Sequence, residues 1–349
     1  MALNKFDPNS AASPGNGIYG LPYTLEESKV VLLPVPVEMT TSYGGGTALG
    51  PDAILQASKQ VDLYDASAGR IYEAGLFMMP ESPHILRLNR EGRKLALPII
   101  RRGGNIDGAP KLKRVLVRVN SLGDRVNEAV YSAAAELIAR GKIVGVVGGD
   151  HSVPFGLMQA YAECFPGMGV LHFDAHCDLR VAYEGFTWSH ASIMYNVVSR
   201  IARIRRLVQV GIRDFCEQEM ELVRRSRGRV VTFFDENLQR QKFEGRQWKS
   251  IVAELLSPLP RNVYISFDID GLNPSLCPHT GTPVPGGLTF EEAVYAIAAV
   301  AKSGRCIVGF DLTEVAPGPE GGEWDANVGA RLLYKMIGHT LLSQKCRRK

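Results

Sequence analysis

The sequence lacks the features that define several classes of protein. It contains no run of about 18 consecutive apolar residues, the length that a membrane-spanning helix requires. Residues 1–20 are polar and include no apolar signal region. Disorder is excluded as well, because apolar residues make up 45% of the chain and charged residues only 22%. We therefore expect a soluble, folded and unexported protein with no membrane partner.

The six cysteines show no CxxC pair and no disulfide-framework spacing. Cys164, Cys177 and Cys306 lie in or beside apolar runs, where buried thiols are common. This pattern indicates a reducing compartment, and we expect a cytoplasmic location. Cys177 stands between His176 and Asp178, but a nucleophilic thiol needs a base that this motif commits to another role.

Positive charge is concentrated in one part of the chain. Residues 86–120 hold ten Lys and Arg against two acidic residues, a net charge of +8, whereas the whole chain carries +4. Neither this segment nor the basic tail 345–349 has interleaved aromatic residues or a recognisable nucleic-acid-binding module. We interpret residues 80–120 as a basic insertion at the surface or at an oligomer contact, and we predict no nucleic-acid partner.

Short apolar, β-branched segments alternate with amphipathic segments along the chain. Such alternation predicts an α/β fold with helices on both faces of a parallel sheet, because a parallel crossover needs a helix-sized connection. Since no Pro/Gly/Ser-rich linker divides the chain, we predict a single domain. The predicted strands are residues 30–36, 143–149, 169–176, 207–212, 230–234, 263–270 and 306–315, and the predicted helices are 126–140, 154–165, 191–203, 290–302 and 330–342.

Three polar motifs follow predicted strands, where ligands bind in open parallel sheets. They are GGDHS at 148–152, HFDAHCD at 172–178 and SFDID at 266–270. In the second motif the metal-competent residues occupy alternate positions, so we expect them to project from one face as the strand ends. The candidate metal ligands are His151, Asp174, His176, Asp178, Asp268 and Asp270.

Carboxylates this close at the ends of buried strands would repel one another unless a cation lay between them. The two histidines and four aspartates suffice for two divalent ions if some carboxylates bridge. Mixed imidazole and carboxylate ligands favour Mn²⁺, with Zn²⁺, Co²⁺, Ni²⁺ and Fe²⁺ as alternatives. Two such ions would hold a water molecule as hydroxide near neutral pH, so the predicted chemistry is hydrolysis. A surface salt-bridge cluster is the structural alternative, and His172 is expected to be a hydrogen-bonded core residue.

The three motifs resemble, in order and spacing, the signatures of the ureohydrolase family, which includes arginases and agmatinases. The similarity spans about residues 29–338 and includes TTSYGGGT at 40–47, VGIR at 210–213 and EVAP at 314–317. The resemblance implies a three-layer α/β/α fold on a mainly parallel, eight-stranded sheet. It also implies two Mn²⁺ per subunit, with Ni²⁺ as an alternative, and a trimeric or hexameric homo-oligomer.

The same resemblance implies roles for individual residues. Asp178, His190 and Glu314 become catalytic residues: His190 would shuttle a proton to the leaving amine, and Glu314 would hold the guanidinium group. Packing for His190 and a loop salt bridge for Glu314 are the alternatives. The implied ligands are His151 and Asp178 for one ion, His176 and Asp270 for the other, and Asp174 and Asp268 for both.

The sequence identifies the substrate less closely than it identifies the reaction. YEG at 183–185, SH at 189–190 and HTGTP at 279–283 resemble the agmatinase branch. Arg180 stands where arginases have an asparagine that positions the amino-acid head group, so we expect agmatine, converted to urea and putrescine, rather than arginine. Arg180 would also suit the carboxylate of 4-guanidinobutyrate. Trp188 is a second candidate for contacting substrate, with core packing as the alternative.

Other functions remain open at this point. Free guanidine, a formimidoylglutamate-type amidine or an acetylated amine are alternative substrates. A positively charged substrate requires Glu314, whereas an acetyl amide does not. A catalytically silent or nucleic-acid-binding protein is disfavoured, because six polar residues at strand ends have no structural use without metal ions.

Overall fold

The computed structural model describes residues 6–13 and 15–345, so Cys346 and residues 346–349 of the basic tail lie outside it. The described residues form eight strands and ten α-helices. The strands are β1 (Val30–Val35), β2 (Leu76–Met78), β3 (Ile143–Gly148), β4 (Gly169–Phe173), β5 (Arg206–Ile212), β6 (Val230–Phe234), β7 (Asn262–Asp268) and β8 (Cys306–Thr313). The helices are α1 (Gly50–Ser58), α2 (Pro83–Ile100), α3 (Pro110–Ala139), α4 (Phe155–Cys164), α5 (Ile193–Arg200), α6 (Glu217–Arg225), α7 (Asp235–Phe243), α8 (Trp248–Leu256), α9 (Phe290–Lys302) and α10 (Trp324–Lys345).

All eight strands belong to one sheet in the order β2-β1-β3-β8-β7-β4-β5-β6. Every neighbouring pair is parallel. The strands of such a sheet are buried on both faces, which explains why the central strands read as continuous apolar runs in the sequence. The prediction of an α/β fold with a parallel sheet is confirmed.

Successive strand residues belong to two separate cores, one on each face of the sheet. Val30 and Leu32 belong to the core that includes residues of α1, α7, α8, α9 and α10, whereas Val31 and Leu33 belong to the core that includes residues of α2, α3, α4 and α5. This alternation follows from the two-residue period of side chains in a strand. The result is the three-layer α/β/α arrangement that the family resemblance implies.

The seven predicted strands are all present, and β6 has the predicted bounds. The other six begin or end one to three residues from their predicted limits. The prediction missed β2, a three-residue edge strand that is too short to produce a periodic pattern. It also missed α1, α2, α6, α7 and α8.

Residues 80–120 consist largely of helix. They contain α2 and the first third of α3, and the predicted helix at 126–140 is the second half of this same α3. The two helices form a hairpin with a small apolar core of its own. None of the helices in the described part of the chain is long and apolar enough to cross a membrane.

Candidate functional site

The predicted polar residues meet at the carboxyl edge of the four central strands. β3, β8, β7 and β4 are neighbours in the sheet. The ends of these strands, or the segments directly after them, carry His151, Glu314, Asp268 and Asp174, respectively. Because parallel strands present their carboxyl ends at the same edge, side chains that are far apart in sequence converge there.

His151 is fully buried at the centre of a first cluster. Its Nδ1 atom lies 3.1 Å from Asp174 Oδ2, 3.2 Å from Asp178 Oδ2 and 3.3 Å from Asp268 Oδ2. On the other side of the ring, Nε2 lies 2.9 Å from the Oγ atom of Ser266. This hydroxyl group orients the imidazole so that Nδ1 points at three carboxylates.

His176 forms a second cluster beside the first. Its Nδ1 atom is 3.1 Å from Asp270 Oδ2 and 3.5 Å from Asp174 Oδ1. Asp174 therefore contacts both clusters, with one carboxylate oxygen on each side. His172 is a buried, hydrogen-bonded residue as expected: its Nε2 is 2.8 Å from Asp174 Oδ2, and its Nδ1 is 3.1 Å from Gln209 Nε2.

The alternate spacing of Asp174, His176 and Asp178 does not come from a continuing strand. β4 ends at Phe173, before the first of these residues. Asp178 has a φ of +55°, in the left-handed region. The expectation that the three side chains project from one strand face is therefore wrong. The loop instead directs Asp178 toward the first cluster and His176 toward the second.

Burial and mutual repulsion oppose the ionisation of these carboxyl groups. Burial, together with the charge of Asp174, raises the pKa of Asp178 to about 8. Burial and the neighbouring Asp270 raise the pKa of Asp268 well above its usual range. Asp174 differs, because the adjacent histidines hold its pKa low despite its burial. Together these directions indicate that the protein side chains alone supply too little positive charge to this cluster.

The donor atoms fit divalent metal ions. Imidazole and carboxylate groups are common ligands of first-row divalent metals, and a cation would supply the missing positive charge. Two groups have donor atoms that lie within 4.8 Å of one another: His151, His172, Asp174 and Asp178 in one, and Asp174, His176 and Asp270 in the other. The cluster therefore fits a metal site.

The proton on Ser266 gives a further test of this fit. Its hydroxyl donates to Asp311 Oδ1 at 3.0 Å, so it accepts from His151 Nε2–H on the other side. Burial lowers the pKa of His151, but the hydrogen bonds of its ring with Asp174, Asp178 and Asp268 raise that pKa well above its usual value, so a proton at Nδ1 offsets part of their charge. A metal ion bound at Nδ1 would take the place of that proton and supply more positive charge.

Glu314 follows β8 directly and lies beside the first cluster. Its backbone N–H donates to Gly149 O at 2.8 Å, and its Oε1 accepts from the His151 N–H at 2.9 Å. Burial and the nearby Asp150 raise its pKa well above the usual range. No Lys or Arg in residues 6–13 and 15–345 forms an ion pair with it. Glu314 is thus a buried acid whose surroundings suit a cationic ligand.

A cleft with a volume of about 290 Å³ opens onto the second cluster. It connects the acidic residues with solvent, as a small-molecule site requires. Loops that follow β1, β4 and β5 form most of its walls. The lining residues are Ser42, Tyr43, His176, Asp178, Arg180, Tyr183, His190, Ala191, Asp214, Phe215, Glu219 and Thr282.

His190 is one of these lining residues. Burial and the nearby His176 lower the pKa of His190 to about 4, so its ring is uncharged at neutral pH. Its Nδ1 atom is buried and has no hydrogen-bond partner in the described part of the chain. An uncharged imidazole with a free nitrogen can accept a proton and pass it on.

Of the two predicted substrate residues, only Arg180 lines the cleft. Its Nε atom is 3.9 Å from Glu219 Oε2, and its guanidinium carbon is 5.3 Å from the centre of the Tyr183 ring. Trp188 is only 6% exposed, and its Nε1 donates to Asp124 Oδ1 at 2.7 Å. Trp188 packs in the core against α3. Its position therefore agrees with core packing, the alternative to a contact with substrate.

Several polar residues around the cluster could not be identified as site residues from the sequence motifs. Asp311 is fully buried in β8, and burial raises its pKa to about 6. Its signal in the sequence is a carboxylate inside an otherwise apolar strand. Thr282 Oγ1 donates to Asp270 Oδ2 at 3.4 Å, and Glu219 lines the cleft from α6. These two positions give no local signal, because their loops and helices reach the site only through the tertiary fold.

Comparison with known proteins agrees with this architecture. The model of the arginase family matches residues 28–338. An N(1)-aminopropylagmatine ureohydrolase of Thermus thermophilus is 32% identical over 90% of both chains, and the agmatinase of Bacillus subtilis is 28% identical over 89% of this chain and 92% of its own. Among solved structures, the agmatine ureohydrolase of Thermoplasma volcanium superposes with a TM-score of 0.69 at 24% identity, covering 93% of both chains. An arginase from Bacillus subtilis superposes with a TM-score of 0.65 at 21% identity, covering 88% of this chain and 98% of its own.

We expect Asp174→Asn to weaken metal binding at both clusters, because this carboxylate contacts both histidines. The protein should be stripped with a chelator, reloaded with Mn²⁺ and analysed for bound metal and apparent Kd. Loss of affinity should be about tenfold or more. The control is Asp62→Asn, an exposed carboxylate. Full metal content with unchanged affinity in Asp174→Asn would contradict the fit of this cluster to metal ions.

Proposed function

The chain belongs to the arginase family of hydrolytic enzymes, and we propose that it cleaves the guanidinium group of a small substrate to urea and an amine, with agmatine as the substrate. One observation carries the proposal: the buried Glu314 carboxylate lies beside a His/Asp cluster and has no cationic side chain as partner in the described residues. A guanidinium ion supplies the missing positive charge. It also matches a carboxylate in shape, because two parallel N–H groups can bond its two oxygens.

We propose two Mn²⁺ ions as the resident metals, with Ni²⁺ as the alternative. When bound, such a pair lowers the pKa of a coordinated water and so supplies a nucleophile near neutral pH. The distances support His151 and Asp178 as ligands on one side and His176 and Asp270 on the other. Asp174 and Asp268 are proposed to be shared by both ions. Asp174 has one oxygen near each histidine, which supports this role directly.

Glu314 is proposed to orient the guanidinium carbon toward the metal cluster. The hydrogen bond from His151 N–H holds Oε1 at 2.9 Å and thereby ties the carboxylate to a ligand residue. Charge attraction between Glu314 and the substrate would replace the repulsion that Glu314 experiences from Asp150 and Asp270 in its absence. The carboxylate thus contributes binding energy and alignment at the reacting carbon.

His190 is proposed to transfer a proton to the leaving amine. The C–N bond of the guanidinium breaks only if the departing nitrogen gains a proton, because an amide anion is a poor leaving group. His190 lies in the cleft next to the cluster and is uncharged at neutral pH. Its unpartnered Nδ1 can accept a proton from the attacking water and release it to the departing nitrogen.

The charges around the cleft favour a substrate with a cationic tail. Arg180 would attract a carboxylate, but Glu219 lies 3.9 Å from it and offsets its charge. Asp214 adds a second acidic side chain to the wall. The balance supports agmatine over arginine and 4-guanidinobutyrate. Aminopropylagmatine is the second candidate, because a relative named for that substrate is 32% identical over 90% of the chain.

We also propose that the enzyme is a cytoplasmic homo-oligomer, a trimer or hexamer. The cysteines at positions 164, 177, 216 and 277 are free thiols, which supports a reducing compartment. The oligomeric state is proposed from the family resemblance.

The proposal is tested by measuring urea release from agmatine, aminopropylagmatine, arginine, 4-guanidinobutyrate and guanidine. The enzyme should be reconstituted separately with Mn²⁺ and with Ni²⁺. We expect the largest kcat/KM with agmatine and Mn²⁺, because the cleft is acidic and Arg180 is already compensated. If no compound yields urea from enzyme that holds two metal ions, the guanidinium proposal fails and an amidine or amide substrate takes its place.

We expect Glu314→Gln to lower kcat/KM for agmatine by about 10- to 100-fold, the value of a hydrogen bond between charged groups. Glutamine keeps the hydrogen bond from His151 N–H but loses the charge. Steady-state kinetics on enzyme of matched metal content measures the effect. Glu320→Gln, on the exposed loop that follows, is the control and should leave kcat/KM unchanged. An unaltered kcat/KM in Glu314→Gln would rule out its contact with the guanidinium.

For His190→Ala we expect kcat to fall by about 10²- to 10⁴-fold, the usual contribution of a general acid or base. Bound metal should stay constant, because His190 belongs to neither donor group. The pH dependence of kcat and the effect of added imidazole should be measured together with metal content. A pH profile identical to that of the unaltered enzyme would refute a role in proton transfer.

A further inference from the structure

The small apolar core between α2 and α3 includes one residue from outside these two helices. Its small core buries Ala96, Ile99 and Val119, and the fourth fully buried member is Phe186. Phe186 belongs to the loop at residues 181–190, which follows the second metal-binding motif. This phenylalanine is 0% exposed, so a residue of the cleft-wall loop is buried between the two helices.

The loop at 181–190 is an excursion from the main body of the protein. Its neck is closed by Arg180 N–H, which donates to Ala191 O at 3.1 Å. Its tip is a tight turn in which Tyr183 and Phe186 exchange backbone hydrogen bonds of 3.1 and 2.8 Å. A loop closed only at its neck retains many conformations, so contacts along its length decide how well it is ordered.

Those contacts are made chiefly with one face of α3. Asn120 accepts from Thr187 N–H at 3.0 Å and donates to Gly185 O at 3.3 Å. One turn further along the helix, Asp124 accepts from Trp188 Nε1 at 2.7 Å. Positions 120 and 124 share a helix face because they are four residues apart. The loop is therefore attached along α3 by side-chain hydrogen bonds at two successive turns.

The other helix of the hairpin holds the second loop of the cleft. Asn89 Oδ1 on α2 accepts from Glu38 N–H at 3.0 Å, and Arg93 donates to Thr41 O. The two loops also touch each other, since Thr40 Oγ1 donates to the Trp188 carbonyl at 3.1 Å. This second loop carries Ser42 and Tyr43, whereas the first carries Tyr183 and His190, and all four line the cleft.

We propose that the α2–α3 hairpin is the support that positions both loops of the cleft, with Phe186 and Asn120 as the positioning residues for His190 and Tyr183. This proposal assigns a structural role to residues 80–120. Their inner faces hold the loops, while all of their Lys and Arg side chains except that of Arg93 are exposed to solvent. A cleft wall held from behind by packed helices keeps its catalytic group in place before substrate arrives. The kinetic part of this proposal rests on the proposed function, whereas the positioning itself does not.

The test compares Phe186→Ala and Asn120→Ala with a control, Val117→Ala, on the same helix but 69% exposed. The first readout is amide hydrogen exchange at residues 181–190 in the metal-loaded protein. We expect exchange there to accelerate at least about tenfold in both positioning variants and to stay unchanged in the control. Exchange elsewhere and bound metal should be unaltered.

The second readout is urea release from agmatine. We expect kcat to fall about tenfold or more in both variants with a smaller change in KM, because displacement of His190 affects the proton-transfer step. Phe186→Leu, which keeps an apolar side chain in the seam, should restore most of the rate. If Phe186→Ala does not fold, Asn120→Ala carries the test, since it removes two hydrogen bonds and leaves the apolar core intact.

The outcomes separate the two proposals. Unchanged exchange at residues 181–190 in Asn120→Ala overturns the positioning role, whatever the activity. Faster exchange with an unchanged kcat also overturns the positioning role, because loosening the loop would then have no effect on the reaction. If the unaltered enzyme releases no urea, the proposed function fails, and the exchange data alone decide whether the hairpin supports the loops.

Discussion

A concentration of buried negative charge at one edge of the sheet is the constraint on which the rest of this structure depends. The carboxyl groups involved lie at or after the ends of adjacent strands and are almost completely buried. The fold offsets part of their repulsion by directing backbone N–H groups at them. His151 N–H donates to Glu314, Ser152 N–H to Asp150, His176 N–H to Asp174, Ala175 N–H to Asp270 and Asp270 N–H to Asp268. The loops after the strands thus act as partial counterions, and divalent cations would complete the neutralisation.

The central strand order β3-β8-β7-β4 brings these carboxyl groups together. Each of the four supplies part of one acidic cluster, and the cluster exists only where their ends are neighbours. The outer strands carry none of the donor groups. Two separate apolar cores, one on each face, keep the four strands rigid and therefore keep the donor atoms within bonding distance of one another.

Much of the fold and of the His/Asp cluster could be predicted from the sequence, because both leave local patterns. Apolar β-branched runs predict the central strands, and polar motifs at their ends predict the donor residues. The details of the second motif could not be predicted from strand periodicity, since β4 ends at Phe173 and the chain turns through a positive φ at Asp178. The α2–α3 hairpin also could not be predicted in full from periodicity. Its apolar positions have a helical period, but Pro98 lies inside α2 and the segment carries many charges.

Contacts between distant segments are the part that no local pattern reveals. In the sequence, Phe186 is one more aromatic residue in a glycine-containing loop, and only the packed seam between α2 and α3 gives it a function. The same holds for Glu219, whose carboxylate lies 3.9 Å from Arg180 Nε. From the sequence alone Arg180 suits a carboxylate-bearing substrate, whereas in the structure Glu219 offsets its charge. The sheet therefore determines the chemistry through residues that are close in sequence to strand ends. The walls of the cleft are loops that form hydrogen bonds with helices far from them in the chain. Under the proposed function, a change in those helices would alter the substrate while leaving every proposed metal-binding residue in place.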